Sequence, residues 1–211
     1  MKTNYWAALE PGGIYHIYNR CVDGALLFYS PDNYHFFLRQ WKKYILPYSE
    51  TMAYCLMPNH FHFLVRIKDI NVELTAEEGT VAGRDFTNGI IAGHQFIEDQ
   101  FKRFFSGYSL ALNKQQSRRG NLFSKRFKRI IIRSEPQLFR SICYIHHNPI
   151  HHKLAKSFHE WPFSSFNAYF SGKPSLVNIE VALEQLNMPN INLAKQQLLR
   201  FHLDFRKPGN R

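Results

Sequence analysis

Residues 51–57 and 61–67 form two strand-like runs joined by Pro58-Asn59, a turn-forming pair, and this hairpin constrains the fold more than any other feature of the sequence. On its second strand Phe61, Phe63, Val65 and Ile67 alternate with His60 and His62, so the apolar side chains share one face and the two imidazoles the other. The first face can cover a core. The second carries two histidines that need another explanation.

Around the hairpin the elements follow in order. Gly12-Gly13 opens an alternating run over residues 14–18 that reads as a first strand. Ser30-Pro31 starts a helix, with Phe37, Leu38, Trp41, Tyr44 and Ile45 at helical spacing until Pro47 stops it. A second helix is predicted from about Phe96 to Asn113, with Ile97, Phe101, Phe104, Phe105, Tyr108 and Leu112 in one stripe. Residues 122–132 read as a further strand, and Ser134 with Gln137 resembles the capping box of a third helix that ends at Asn148-Pro149. The order β-α-β-β-(loop)-α-β-α predicts an α+β domain, an antiparallel sheet with helices packed on it. It spans residues 1–170, interrupted at 69–93 by an acidic, glycine-containing excursion, and is followed over 171–211 by a helical or partly disordered extension.

Lys and Arg number 27 against 16 Asp and Glu, a formal net charge of +11 that favours polyanionic partners. The charge is local. From Lys102 to Arg133 there are ten cations and no Asp or Glu: Lys102, Arg103, Lys114, Arg118, Arg119, Lys125, Arg126, Lys128, Arg129 and Arg133. A solvated helix face would interleave acids with bases, so nucleic acid is the better reading. There is no run of about eighteen apolar residues, which argues against a membrane span. Cys21, Cys55 and Cys143 sit in apolar neighbourhoods that suit buried thiols, and a reducing cytoplasm is the expected location.

Two groups could carry chemistry. His60 and His62 could share one metal ion, but the pattern alone fits two polar residues beside a turn equally well. Tyr108 could be a core tyrosine of the amphipathic second helix, or a phenol placed among the ten cations to meet a phosphate.

The segment Leu56-Met57-Pro58-Asn59-His60-Phe61-His62-Phe63-Leu64-Val65 resembles the signature of the single-tyrosine HUH transposases. Gly13-Ile14-Tyr15-His16-Ile17-Tyr18-Asn19-Arg20 is similar to that family's first strand, and the segment from Phe101 through Tyr108 to Lys114 to its tyrosine helix. Later blocks, Gly120-Asn121-Leu122-Phe123-Ser124-Lys125-Arg126-Phe127, Tyr144-Ile145-His146-His147-Asn148-Pro149-Ile150 and Trp161-Pro162-Phe163-Ser164-Ser165-Phe166, resemble the branch called REP-associated tyrosine transposases. The agreement is ordered over about residues 12–170.

The resemblance implies a ferredoxin-like, HUH-endonuclease fold. It implies His60 and His62 as ligands of Mg²⁺ or Mn²⁺, and Tyr108 as a nucleophile forming a 5′-phosphotyrosine and releasing a 3′-hydroxyl. Related enzymes complete the metal site from the tyrosine helix, which makes Asn113 the candidate here. Five residues from Tyr108 is about 140° around a helix, however, and position 112 is leucine. The implied substrate is single-stranded or hairpin DNA, cut and rejoined by a monomer or homodimer. Lys102, Arg103, Lys114, Arg118, Arg119, Lys125, Arg126, Lys128 and Arg129 would contact DNA, with exposed aromatics stacking on unpaired bases. His146, His147, His151 and His152 are expected in structural or DNA-contact roles. Competing readings are a non-cleaving binder of structured nucleic acid, a nuclease in which water attacks, and a metalloenzyme that does not act on nucleic acid.

Overall fold

A computed structural model of the chain describes residues 4–69, 93–124, 126–173 and 175–205. Four strands, β1 (Ile14–Arg20), β2 (Ser49–Met57), β3 (His60–Ile67) and β4 (Lys128–Ile132), form one sheet in the order β2-β3-β1-β4. Every neighbouring pair is antiparallel. Helix α1 (Pro31–Tyr44) links β1 to β2, and α2 (Gly93–Gln115) lies between β3 and β4 in the chain. The result is the ferredoxin-like βαββαβ arrangement expected. Both parallel crossovers favour the same hand, which puts α1 and α2 on one face of the sheet.

That face is aromatic. Phe37 and Trp41 of α1, Phe61 and Phe63 of β3, and Phe101 and Phe104 of α2 are fully buried together. Trp41 stacks on Phe63 with ring centroids 3.6 Å apart, and its indole N–H donates to Thr51 Oγ1 at 3.0 Å. Each such side chain contributes about 1.5–3 kcal/mol by leaving water. Within α2, Gly107 lies in the helix interior, and an added Cβ would meet nothing within 4 Å. Gly107→Ala is therefore expected to stabilise the fold by about 0.5–1 kcal/mol, visible as a raised melting temperature.

The opposite face is covered by α3 (Glu135–His151), helped by α4 (Ala168–Ser171), α5 (Ile179–Gln185) and α6 (Ile191–Phe205). Ser134 caps α3, its hydroxyl accepting from Gln137 N at 3.4 Å, while Gln137 Oε1 accepts from Arg133 N at 2.9 Å. Ile142, Cys143 and Ile145 of α3 pack with Leu64, Cys55 and Met57 of the sheet and with Ala182, Leu186 and Leu198 from α5 and α6. The segment after Ser171 thus supplies part of a core, and Asn178 N donates to Thr51 O of β2 at 2.8 Å. The three cysteines are buried and unpaired. Among the described residues no helix is long and apolar enough to cross a membrane.

Two predicted boundaries shift. Helix α3 continues past Pro149 to His151, a proline so near the helix end costing little more than one backbone bond. The strand expected over residues 122–132 begins only at Lys128, because Leu122 and Phe123 instead bond to Val22 and Cys21 at the end of β1. The excursion at residues 70–92 lies outside the described residues.

Candidate functional site

Strand alternation assembles the site from four elements. His16, Tyr18 and Arg20 of β1 share a face, and the register sets Tyr18 opposite His62 and Arg20 opposite His60. On the other side β4 sets Lys128 opposite Tyr18 and Ile130 opposite His16. Helix α3 crosses this face with Arg140, Tyr144 and Asn148 at intervals of four on one side, and His152 follows four residues on, just past the helix end. A cleft of about 420 Å³ opens between them, lined by His16, Tyr18, His62 and Ile130 from the sheet and by Gln137, Arg140, Ser141 and Tyr144 from α3.

The histidines have defined roles for their ring nitrogens. His60 Nδ1 lies 2.7 Å from Asn59 Oδ1, and His62 Nδ1 lies 2.9 Å from His16 Nε2, so Nε2 of each is the nitrogen left for a further partner. Burial pushes His16 down to about 4, and burial with the charge of His152 does the same to His60. Burial, reinforced by His16, holds His62 well below the usual imidazole range. At neutral pH all three are uncharged, the form in which imidazole binds metal. Asn148 lies within hydrogen-bond reach of His60 and anchors itself by donating from Nδ2 to Tyr144 O at 2.8 Å. His152 stands beside His60, ring centroids 5.0 Å apart. Among the described residues no three His, Cys, Asp or Glu side chains are set to hold a metal ion. A donor set here would be the two imidazoles and the amide oxygen of Asn148, without a carboxylate.

Of the two tyrosines lining this cleft, Tyr18 and Tyr144, Tyr144 is the more exposed. Its ring is 46% exposed and meets His62 edge-on with centroids 5.5 Å apart, and His16 at 6.0 Å. Tyr108 is elsewhere, and here the structure corrects the sequence reading. It is 1% exposed, packed against Phe37 in the aromatic core on the opposite face of the sheet, with its hydroxyl donating to Leu27 O at 2.6 Å. Burial raises its phenol far above the usual range. Asn113 is on the same wrong side, its Nδ2 donating to Gly120 O at 2.9 Å.

The basic segment also divides in space. Although it contains no acid in sequence, Glu98 and Asp99 on the preceding turn of α2 sit against it. Lys102 pairs with Asp99 at 2.6 Å, Arg126 with Glu98 at 3.3 Å, and Arg129 with Glu98 while also donating to Ala7 O. Arg129 is only 4% exposed, so its expected contact with DNA is replaced by a structural ion pair. Arg118 folds back against Cys21. Arg103, Lys114 and Arg119 are exposed on α2 and just after it, and Lys128 alone of the set borders the cleft; Lys125 lies outside the described residues. Sequence reasoning missed Arg20, Arg140, Tyr144 and Asn148. The spacing of four along α3 was the available signal for the last three. Of the later histidines, His146 is buried and its Nε2 lies 2.9 Å from Ser165 Oγ, a structural contact.

No family model matches the chain. A protein of Haemophilus influenzae named "Putative REP-associated tyrosine transposase" is 26% identical over 168 residues, which cover 78% of this chain and 86% of that protein. Among solved structures, a REP-associated tyrosine transposase bound to a REP hairpin superposes with a TM-score of 0.52 at 16% identity, over 84% of this chain and 93% of that one, a likeness of fold. With the ordered motifs, these relations make the chain similar in sequence to a protein named as a REP-associated tyrosine transposase and similar in fold to a solved one.

Proposed function

We propose that this chain is a metal-dependent transposase that cleaves and rejoins single-stranded hairpin DNA, with Tyr144 as nucleophile and His60, His62 and Asn148 as metal ligands. The observation that carries the reading is an exposed tyrosine edge-on to His62 in a cleft that also holds Arg140. In the reaction the Tyr144 oxygen attacks phosphorus, a phosphotyrosine bond forms, the bond to the 3′ oxygen breaks, and that oxygen takes up a proton. The bond energy stays in the adduct, so a 3′-hydroxyl can reverse the step and join strands. Mg²⁺ or Mn²⁺ held by His60, His62 and Asn148 would supply Lewis-acid stabilisation of the phosphate, and two imidazoles suit Mn²⁺ better than Mg²⁺.

The chain's own residues do the rest. Arg140, one turn before Tyr144, Arg20 beside His60, and Lys128 beside Tyr18 surround the cleft with positive charge for the phosphates of the bound strand. His16 orients His62. For His62 Nε2 to bind metal, its Nδ1 must carry the proton and donate to His16 Nε2, and an uncharged His16 is able to accept. His16→Ala is expected to weaken Mn²⁺ binding roughly 10- to 100-fold, as followed by electron paramagnetic resonance titration, and His16→Gln to recover part of the loss.

The reading is tested with hairpin DNA labelled on its 5′ or 3′ side and incubated with Mn²⁺ or EDTA. A metal-dependent covalent complex that retains only the 3′-side label supports it. Cleavage without an adduct would mean that water attacks. Binding without cleavage would leave only the recognition of structured DNA.

A further inference from the structure

We propose that a second cleft, behind the start of β4, binds one unpaired base of a single-stranded DNA segment flanking the hairpin, and that Trp6 and Arg126 guide the strand to it. The inference rests on the reading of the chain as a hairpin-DNA enzyme and extends it to a site on the other face of the sheet.

The cleft measures about 200 Å³, below the range of about 300–1,000 Å³ typical of drug-sized ligands. Phe105, Phe123 and Phe127 wall it, with Phe105 lying 5.0 Å from Phe123 and 5.3 Å from Phe127 between ring centroids. Asn19 and Ser106 contribute polar groups to the lining, Glu98 lines it too with its carboxylate paired to Arg126 and Arg129, and Lys102 and Arg126 stand at it with half or more of their side chains in solvent. An aromatic wall, an amide and flanking cations are the chemistry that holds an unpaired nucleobase and its phosphates. The ion pairs these cations make with Asp99 and Glu98 are exposed on the cationic side, so a phosphate can compete for them.

A path leads there from the histidine cleft. Lys128 stands 5.7 Å from the Tyr18 ring, which lines that cleft, and 4.7 Å from the ring of Tyr5. The N-terminal segment runs along the outer edge of β4, Trp6 bridging to Arg129 and Arg129 N donating to Tyr5 O at 3.0 Å. Trp6 is 47% exposed and carries Arg126 over its ring at 6.0 Å. Aromatics and cations therefore alternate from Tyr18 through Lys128, Tyr5, Trp6 and Arg126 to the second cleft, around the start of β4. Trp6 belongs to neither core cluster, and its half-exposed indole offers a face for a base.

The test compares a bare hairpin with the same hairpin carrying a single-stranded flank of about ten nucleotides, on the 5′ side and then the 3′ side. Wild type, Trp6→Ala and Arg126→Gln are measured by fluorescence anisotropy, with thermal melts confirming that all three fold. The wild type is expected to bind one flanked hairpin roughly 5- to 150-fold more tightly than the bare one, Trp6→Ala to lose most of that gain, and both variants to bind the bare hairpin like wild type. A wild type that binds the bare hairpin but gains nothing from either flank contradicts this inference alone, as does a Trp6→Ala protein that keeps the full gain. A wild type that binds neither hairpin contradicts the hairpin reading together with it.

Discussion

Tyr144→Phe is expected to abolish the covalent complex and lower strand cleavage by about 10³-fold or more, while Tyr108→Phe cleaves at a rate close to wild type. The contrast follows from the two environments. Tyr144 stands in solvent against His62, on the face of the sheet where the cleft opens. Tyr108 is sealed on the far face, with Phe28, Phe36 and Phe37 around its ring and its proton committed to Leu27 O. Its ring edge lines only a separate cleft beside Arg39 and Gln115, away from the histidines, and its hydroxyl is turned to the backbone. Tyr108→Phe leaves the Leu27 carbonyl without that donor and should cost about 1–3 kcal/mol of stability. A single kinetic and thermal comparison of the two variants separates catalytic loss from structural loss.

Arg129→Ala is expected to lower stability by about 3 kcal/mol in urea unfolding. Its guanidinium is almost fully buried over the Phe127 ring, pairs with the largely buried Glu98, and ties down the N-terminal segment through Ala7 O. Removing it strands a carboxylate in a poorly solvated place. The loss falls at the lower end of the range for a broken buried pair because Arg126 still reaches Glu98. A double change, Glu98→Gln with Arg129→Met, should cost less than Arg129→Ala, since no lone charge remains. If Arg129→Ala instead melted like wild type and shifted only DNA affinity and its salt dependence, Arg129 would be a phosphate contact after all.

Both results bear on what the sequence could disclose. The sheet and its helices were legible because several carry a clear period, two in β1 and β3 and 3.6 in α1 and α2, while β2, buried on both faces, was read from its strand-like run beside the Pro58-Asn59 turn. The same alternation put His60 and His62 on one face. It also puts His16 and Tyr18 on one face of β1, but that they join the histidines depends on the pairing of β1 with β3, which strand pattern alone does not fix. The tyrosine was misread for a physical reason. The cations around Tyr108 are dense in sequence, yet Glu98 and Asp99, just upstream on the same helix, neutralise several of them once the chain folds. Tyr108 also belongs to the apolar stripe of α2, the stripe that must face the core.

Two right-handed crossovers place α1 and α2 on the same face, and the phenylalanines of β3 must meet their apolar stripes. His60 and His62 then face away from α2, toward the third helix. Along that helix Arg140, Tyr144 and Asn148, with His152 just past its end, form a polar row at spacing four, in a segment otherwise rich in isoleucine and other apolar residues. Charge counted along the chain could not reveal this, because it carries no information about faces. The docking of α5 and α6 into the second core was hidden for a different reason: both are short helices with ample apolar residues, and most of their stability comes from the surface they pack against, which the sequence does not show.

The most direct measurement locates the tyrosine that carries DNA. A hairpin substrate is incubated with wild-type protein and Mn²⁺, the covalent complex is isolated and digested with trypsin, and the nucleotide-bearing peptide is identified by mass spectrometry. Cleavage after Arg140 and Lys153 releases Tyr144 in residues 141–153, and cleavage after Arg103 and Lys114 releases Tyr108 in residues 104–114. The account requires the nucleotide on the 141–153 peptide. Finding it on the 104–114 peptide, or finding cleaved DNA with no modified peptide, would contradict it.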